Sequence, residues 1–182
     1  NLFGSYSNNI AKNVNYGFLN RIEQNTLQNI YILSDNKSHV FKVGLDFYLN
    51  DKNTISVFTN QNIFDGSTNA TTDIFFSDSA FDQSQIISNN GDNTSQQYNF
   101  GYKLDFNKEG QNIELEVDYN NYNGDSRTDN TFSRFIMRPN YFELNDTERV
   151  RTTINLDYVD PLSETTKLEL GLQTRLFNNI IN

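Results

Sequence analysis

The sequence predicts an all-β chain: about eight strands of an antiparallel, up-and-down transmembrane β-barrel, forming one barrel segment over residues 1–182 that is part of a larger barrel. Three observations predict it. Apolar residues recur at every second position in runs of about 9 to 12 residues, the connections alternate between short and long, and each apolar row is backed by a charged or polar one.

The first clear run is Phe41, Val43, Leu45, Phe47 and Leu49, with Lys42, Gly44, Asp46 and Tyr48 between them. The rule returns at Tyr98 to Phe106, Ile113 to Tyr119, Val150 to Tyr158 and Leu168 to Leu176. Soluble strands usually run about 5 to 6 residues, whereas a tilted strand needs roughly 9 to 11 to cross a bilayer. Lipid is therefore the solvent that fits the apolar rows. The opposite rows carry Lys103 and Asp105, then Glu114, Glu116 and Asp118, then Arg149, Arg151, Asn155 and Asp157, then Lys167, Glu169, Gln173 and Arg175, which suits a watery lumen. Turn positions give strands near 40–50, 53–63, 96–107, 111–123, 148–160 and 164–177. Two more are expected near 1–7 and 15–33, with 34–38 as a short outer loop.

Short connections fall at 49–53, 107–110 and 160–164, rich in Asn, Asp, Gly and Pro. The long ones, near 64–94 and 124–146, read as outer loops. Bacterial barrels sort their connections in this way, with short turns in the periplasm and long loops outside.

Composition limits the alternatives. The 182 residues contain no apolar run approaching a membrane helix, 36% are hydrophobic, and cysteine is absent. A mean hydropathy of -0.67 is compatible with a membrane barrel, because lumen-facing residues offset lipid-facing ones. A net charge of -9 argues against nucleic acid as a partner, since phosphate binding needs clustered Lys and Arg. No charged and apolar leader opens the chain, so an exported barrel of this kind is expected to be a mature form or, in preference, an internal piece of a longer protein.

The stretch Val43-Gly44-Leu45-Asp46-Phe47-Tyr48-Leu49-Asn50-Asp51-Lys52-Asn53-Thr54-Ile55-Ser56 resembles a recurring hairpin of the outer-membrane β-barrel family related to TonB-dependent receptors. Gly17-Phe18 with Arg21, and Asp157-Tyr158 with Pro161-Leu162, are similar to that family too. The resemblance covers most of the chain and only its barrel portion, with no plug domain. It implies location in the cell outer membrane, ligand uptake rather than enzymatic activity, and a parent with a plug domain and an energy-transducing protein. Outer-membrane lipid is the expected surrounding, and a lid or loop-binding protein a possible further partner. A self-contained eight-stranded anchor or adhesin is the alternative.

No catalytic, cofactor-binding or metal residue is assigned, and no cofactor is expected. The lone histidine, His39, reads as an exposed rim residue rather than a general base. Asp65, Asp73, Asp78, Asp82 and Asp92 read as a solvated acidic loop rather than a calcium site, because EF-hand spacing is missing. In the same loop Ile74, Phe75, Phe76, Phe81, Ile86 and Ile87 suggest folding back over the barrel mouth or contact with a partner. Tyr98, Phe106, Tyr119, Tyr158 and Phe177 are candidate interfacial girdle residues, and Leu45, Leu115 and Leu170 candidate acyl-facing ones.

Overall fold

The computed structural model describes residues 1–77, 83–132 and 139–182. They form an antiparallel sheet whose spatial order is the chain order: β1 (Leu2–Arg21), β2 (Thr26–Asn50), β3 (Asn53–Phe76), β4 (Gln83–Asp105), β5 (Asn112–Phe132), β6 (Tyr141–Pro161) and β7 (Lys167–Ile181). Seven strands stand where about eight were expected. Residues 34–38, expected as an outer loop, lie inside β2 and pair with 9–13 on one side and 64–68 on the other. The edges β1 and β7 do not pair with each other, so the sheet is open, and the self-contained barrel would need a closure that is not made here.

The stretches expected as long outer loops are largely strand. β3 and β4 stay paired up to Ile74 and Gln83, and β5 and β6 up to Asn130 and Tyr141. Sequence reading stopped each strand where apolar alternation stopped. Beyond that point both faces meet water, so the pattern turns to Asn, Ser, Thr, Asp and Gly, residues that read as loop by propensity. Cross-strand hydrogen bonding, extended by one ladder step per residue from an existing hairpin, overrides that weak preference.

The register aligns the apolar rows of all strands on one face. One continuous row is Leu2, Leu45, Val57, Phe100, Val117, Ile154 and Thr174. The row nearest the short turns is Asn53, Leu104, Ile113, Tyr158 and Leu170, and the last row with a large apolar share contains Tyr6, Phe41 and Val150. About eight ladder steps at ~3.4 Å, tilted by ~40°, rise roughly 21 Å, near the ~25 Å apolar belt of an outer-membrane barrel. The half of each hairpin near the short turns therefore fits the bilayer, and the distal half projects beyond it.

Among the described residues no apolar side chain is buried, and Leu170, Leu172 and Leu176 are 57%, 70% and 62% exposed. A sheet with this face open to water would be an aggregation surface. Lipid removes that cost. Aromatic rings mark both borders of the belt: Phe106 packs edge-on against Tyr158 at the short-turn border, while Tyr98 pairs with Tyr119 and Tyr6 with Phe41 at the distal one. Phe177, expected among the girdle residues, instead lies opposite Arg151 on the inner face, because it is one residue out of phase with Leu176.

The short turns are laced together. Asn50 Oδ1 accepts from the backbone N–H groups of Lys52 and Asn53, at 3.0 Å each. Lys52 reaches Asn107, and Lys108 Nζ lies 2.7 Å from Asp160 Oδ1. Gly110 has a φ of 75°, which explains glycine there. Gly44 is required for another reason: a Cβ there would run into the Phe3 ring, which crosses the strand to stack on Phe58.

Candidate functional site

Every lumen-facing residue named from the sequence falls on the inner face. Near the short turns that face carries a hydrogen-bonded ladder across β4 to β7. Asn99 donates to Glu116 and Asp118 at 3.1 and 3.0 Å, Asn155 donates to Glu116 at 3.4 Å, and Gln173 donates to Asn155 at 2.6 Å. Such a network holds the lumen wall polar and ordered.

A waist lies just beyond the apolar belt, where glycines of neighbouring strands meet. Gly66 pairs with Gly91, which pairs with Ser126, and in the adjacent row Phe64, Asn93, Gly124 and Thr147 align. The two faces of this waist differ sharply in charge. On the outer face Lys37, Asp65, Asp92, Asp125 and Asp146 stand directly opposite one another across five strands. Facing carboxylates repel, so this row favours water and excludes hydrocarbon. It marks the upper limit of the lipid belt. A shallow groove of about 500 Å³ runs along it.

On the inner face lies a depression of about 230 Å³ lined by Asn36, Phe64, Thr68, Asn89, Asn93 and Tyr122 around the glycines. The Phe64 ring leans over Gly66 and the Tyr122 ring over Gly124; a Cβ on either glycine would come within 2.7 Å of those rings. Arg149 lies 5.6 Å from the Tyr122 ring centre. Asn89 donates to Thr128 at 2.6 Å, and Ser34 and Thr68 share a hydrogen bond at 3.1 Å, which hold the distal lip.

Other candidates fall elsewhere. His39 sits inside β2 rather than at a strand mouth, half-buried, with Nδ1 2.8 Å from the Tyr6 hydroxyl and its ring stacked on Tyr6. Asp65 and Asp92 face each other on the outer face, while Asp73 lies near the far end of β3; Asp78, Asp82 and Phe81 fall outside the described residues. No group of metal-ligating side chains converges among the described residues. Ile74, Phe75, Phe76, Ile86 and Ile87 remain in the sheet instead of folding back, since pairing continues past them or to their neighbours. Further out, Arg127 grips Asp129 with three short N–H contacts and lies 4.6 Å from the Phe142 ring. That hydrogen bonding, foremost, holds the Asp129 carboxyl below and the Arg127 guanidinium above their ordinary ranges.

Sequence reading missed the waist. The signal was present: Gly66 and Gly91 each lie eight residues from Ile74 and Gln83, the last paired positions of this hairpin, so continuing the hairpin through the presumed loop pairs them.

Fold and faces define an antiparallel barrel sheet of the outer-membrane kind. Residues 104–182, which span β5 to β7 and the end of β4, match the outer membrane protein beta-barrel family, which indicates the cell outer membrane as location. No curated protein matches the sequence. Similar solved structures include the ferripyoverdine receptor of the outer membrane of Pseudomonas aeruginosa bound to ferripyoverdine, at 10% identity and a TM-score of 0.36 over 100% of this chain and 37% of that one. The alcaligin outer membrane receptor FauA from Bordetella pertussis is similar at 11% identity and a TM-score of 0.37, over 98% of this chain and 36% of that one. BauA, the ferric preacinetobactin receptor from Acinetobacter baumannii, has 9% identity and a TM-score of 0.30, over 99% and 41%. The chain thus spans well under half the length of these receptors, and likeness at this level carries no argument about ligand.

Proposed function

We propose that this sheet is part of the barrel wall of a TonB-dependent receptor-like outer-membrane transporter, and that the whole protein takes up a ligand instead of transforming one. The observation that carries this reading is the pairing of an unburied apolar belt with an inner face that carries a polar, hydrogen-bonded ladder behind it. One face suits acyl chains and the other a solute path. The Gly44 to Ser56 hairpin supports the receptor type, and the open edges β1 and β7 suit a wall continued by further strands, because unpaired backbone in lipid is strongly disfavoured. A plug domain and an energy-transducing protein would be the partners of such a transporter.

The test uses the complete protein that contains this chain. Its expected behaviour is extraction from the outer-membrane fraction only with detergent, with an intact mass several times 21.1 kDa. Cells should also deplete at least one solute from the medium in a way that requires both this protein and the energy-transducing protein. Release without detergent, or no such solute, overturns the reading.

A further inference from the structure

The inner depression at the waist has a composition unlike the lumen below it. Its side chains, Asn36, Phe64, Thr68, Asn89, Asn93 and Tyr122, are uncharged, and the aspartates that border it, Asp92 and Asp125, belong by register to the outer face. Only a few steps nearer the short turns, the same face carries Glu114, Glu116, Asp118 and Arg175. Three glycines form the floor, and the tips of two aromatic rings, Phe64 and Tyr122, reach over two of them. Absence of Cβ atoms makes room for these rings, whose faces are broad and apolar. Around them, the amides of Asn36 and Asn93 offer donors and acceptors, Asn89 offers an acceptor and the donor not spent on Thr128, and Arg149 beside Tyr122 offers donors.

A ferric or phosphate anion would need several cations, and a basic ligand would need carboxylates; the depression supplies neither. A sugar ring fits both features: its C–H face lies on an aromatic ring while its hydroxyls exchange hydrogen bonds with amides. We propose that this depression binds a neutral oligosaccharide, stacked on Phe64 and Tyr122 and hydrogen-bonded by Asn36, Asn89 and Asn93. The proposal rests on the uptake reading only in placing the site on a solute path; it names the class of solute.

The test is retention of the detergent-solubilised complete protein on an array carrying neutral oligosaccharides and uronic-acid oligosaccharides. Neutral glycans should be retained, and Phe64→Ala or Tyr122→Ala should weaken retention at least tenfold. Tyr122→Phe, which keeps the ring, should retain most of the binding, and Asp65→Asn on the opposite face should leave it unchanged. Each variant is checked for the heat-modifiable migration of a folded barrel, and Tyr122→Phe reports on the site even if an alanine variant fails to fold. No retention of any neutral glycan, retention of acidic glycans alone, or retention indifferent to both rings overturns the proposal. Glycan binding without transducer-dependent uptake would leave the site standing and remove the transport reading, while uptake without glycan binding would do the reverse.

Discussion

The two halves of each hairpin are built by the same ladder and governed by different solvents. Near the short turns, Val57, Phe100, Val117 and Ile154 face outward in one row while Ser56, Gly101, Glu116 and Asn155 face inward in the next. At the waist the outward row becomes Asp65, Asp92, Asp125 and Asp146, and the inward one Gly66, Gly91, Ser126 and Asn145. Strand geometry does not change between them. What changes is which side chains the surroundings tolerate, so the belt's edge is a chemical border within continuous strands.

Arginine substitutions are the strongest way to break that comparison. Val117 lies in the middle row of the belt, whereas Leu170, though on the same apolar face, lies in the row at its short-turn edge. Val117→Arg should cost about 2–4 kcal/mol, and Leu170→Arg only ~0–1 kcal/mol, in chemical unfolding from phospholipid bilayers. Equal costs would mean that the belt is placed at the wrong height.

Gly44→Val should come next. A Cβ there displaces the Phe3 ring from Phe58, and overpacking of this kind costs about 1–3 kcal/mol in the same unfolding measurement. Phe3→Ala in the same chain should recover part of the loss, because it empties the contested space.

Asp92→Asn sharpens the contrast from the opposite side. Removing the carboxylate between Asp65 and Asp125 relieves two facing like charges, so the variant should gain ~0.2–0.5 kcal/mol at low salt. The gain should shrink as ionic strength rises. A loss would indicate that the row is held by a bound cation.

The smallest effect is a pH dependence at the Arg127–Asp129 pair. Because Asp129 is held below its ordinary range when folded, its contribution is present above about pH 4 and fades as pH falls through the lower folded value. Arg127→Gln should flatten that part of an acid unfolding profile. The exposed position of both groups keeps the effect small.

Much of the lower half was legible in the sequence. A period of two with apolar residues from Phe41 to Leu49 can face only one lipid-like surface, and Asn50 or Gly110 at a reversal needs only local geometry. The inner-face residues from Lys103 to Arg175 followed from the same phase. Phe177 shows the limit of that logic, for an aromatic near a strand end is assigned a face only by counting register from a neighbour such as Leu176.

The chain by itself determined the period, the turns and the existence of a two-solvent sheet, because these depend on residues close in sequence. Strand length, the position of the belt along it and the glycine waist were decided by tertiary structure. Polar residues such as Asn89 or Thr128 carry no face preference of their own, and only pairing with strands tens of residues away fixes where they point. The same register places Phe64 one strand from Asn93 and two from Gly124, a neighbourhood that no local pattern specifies.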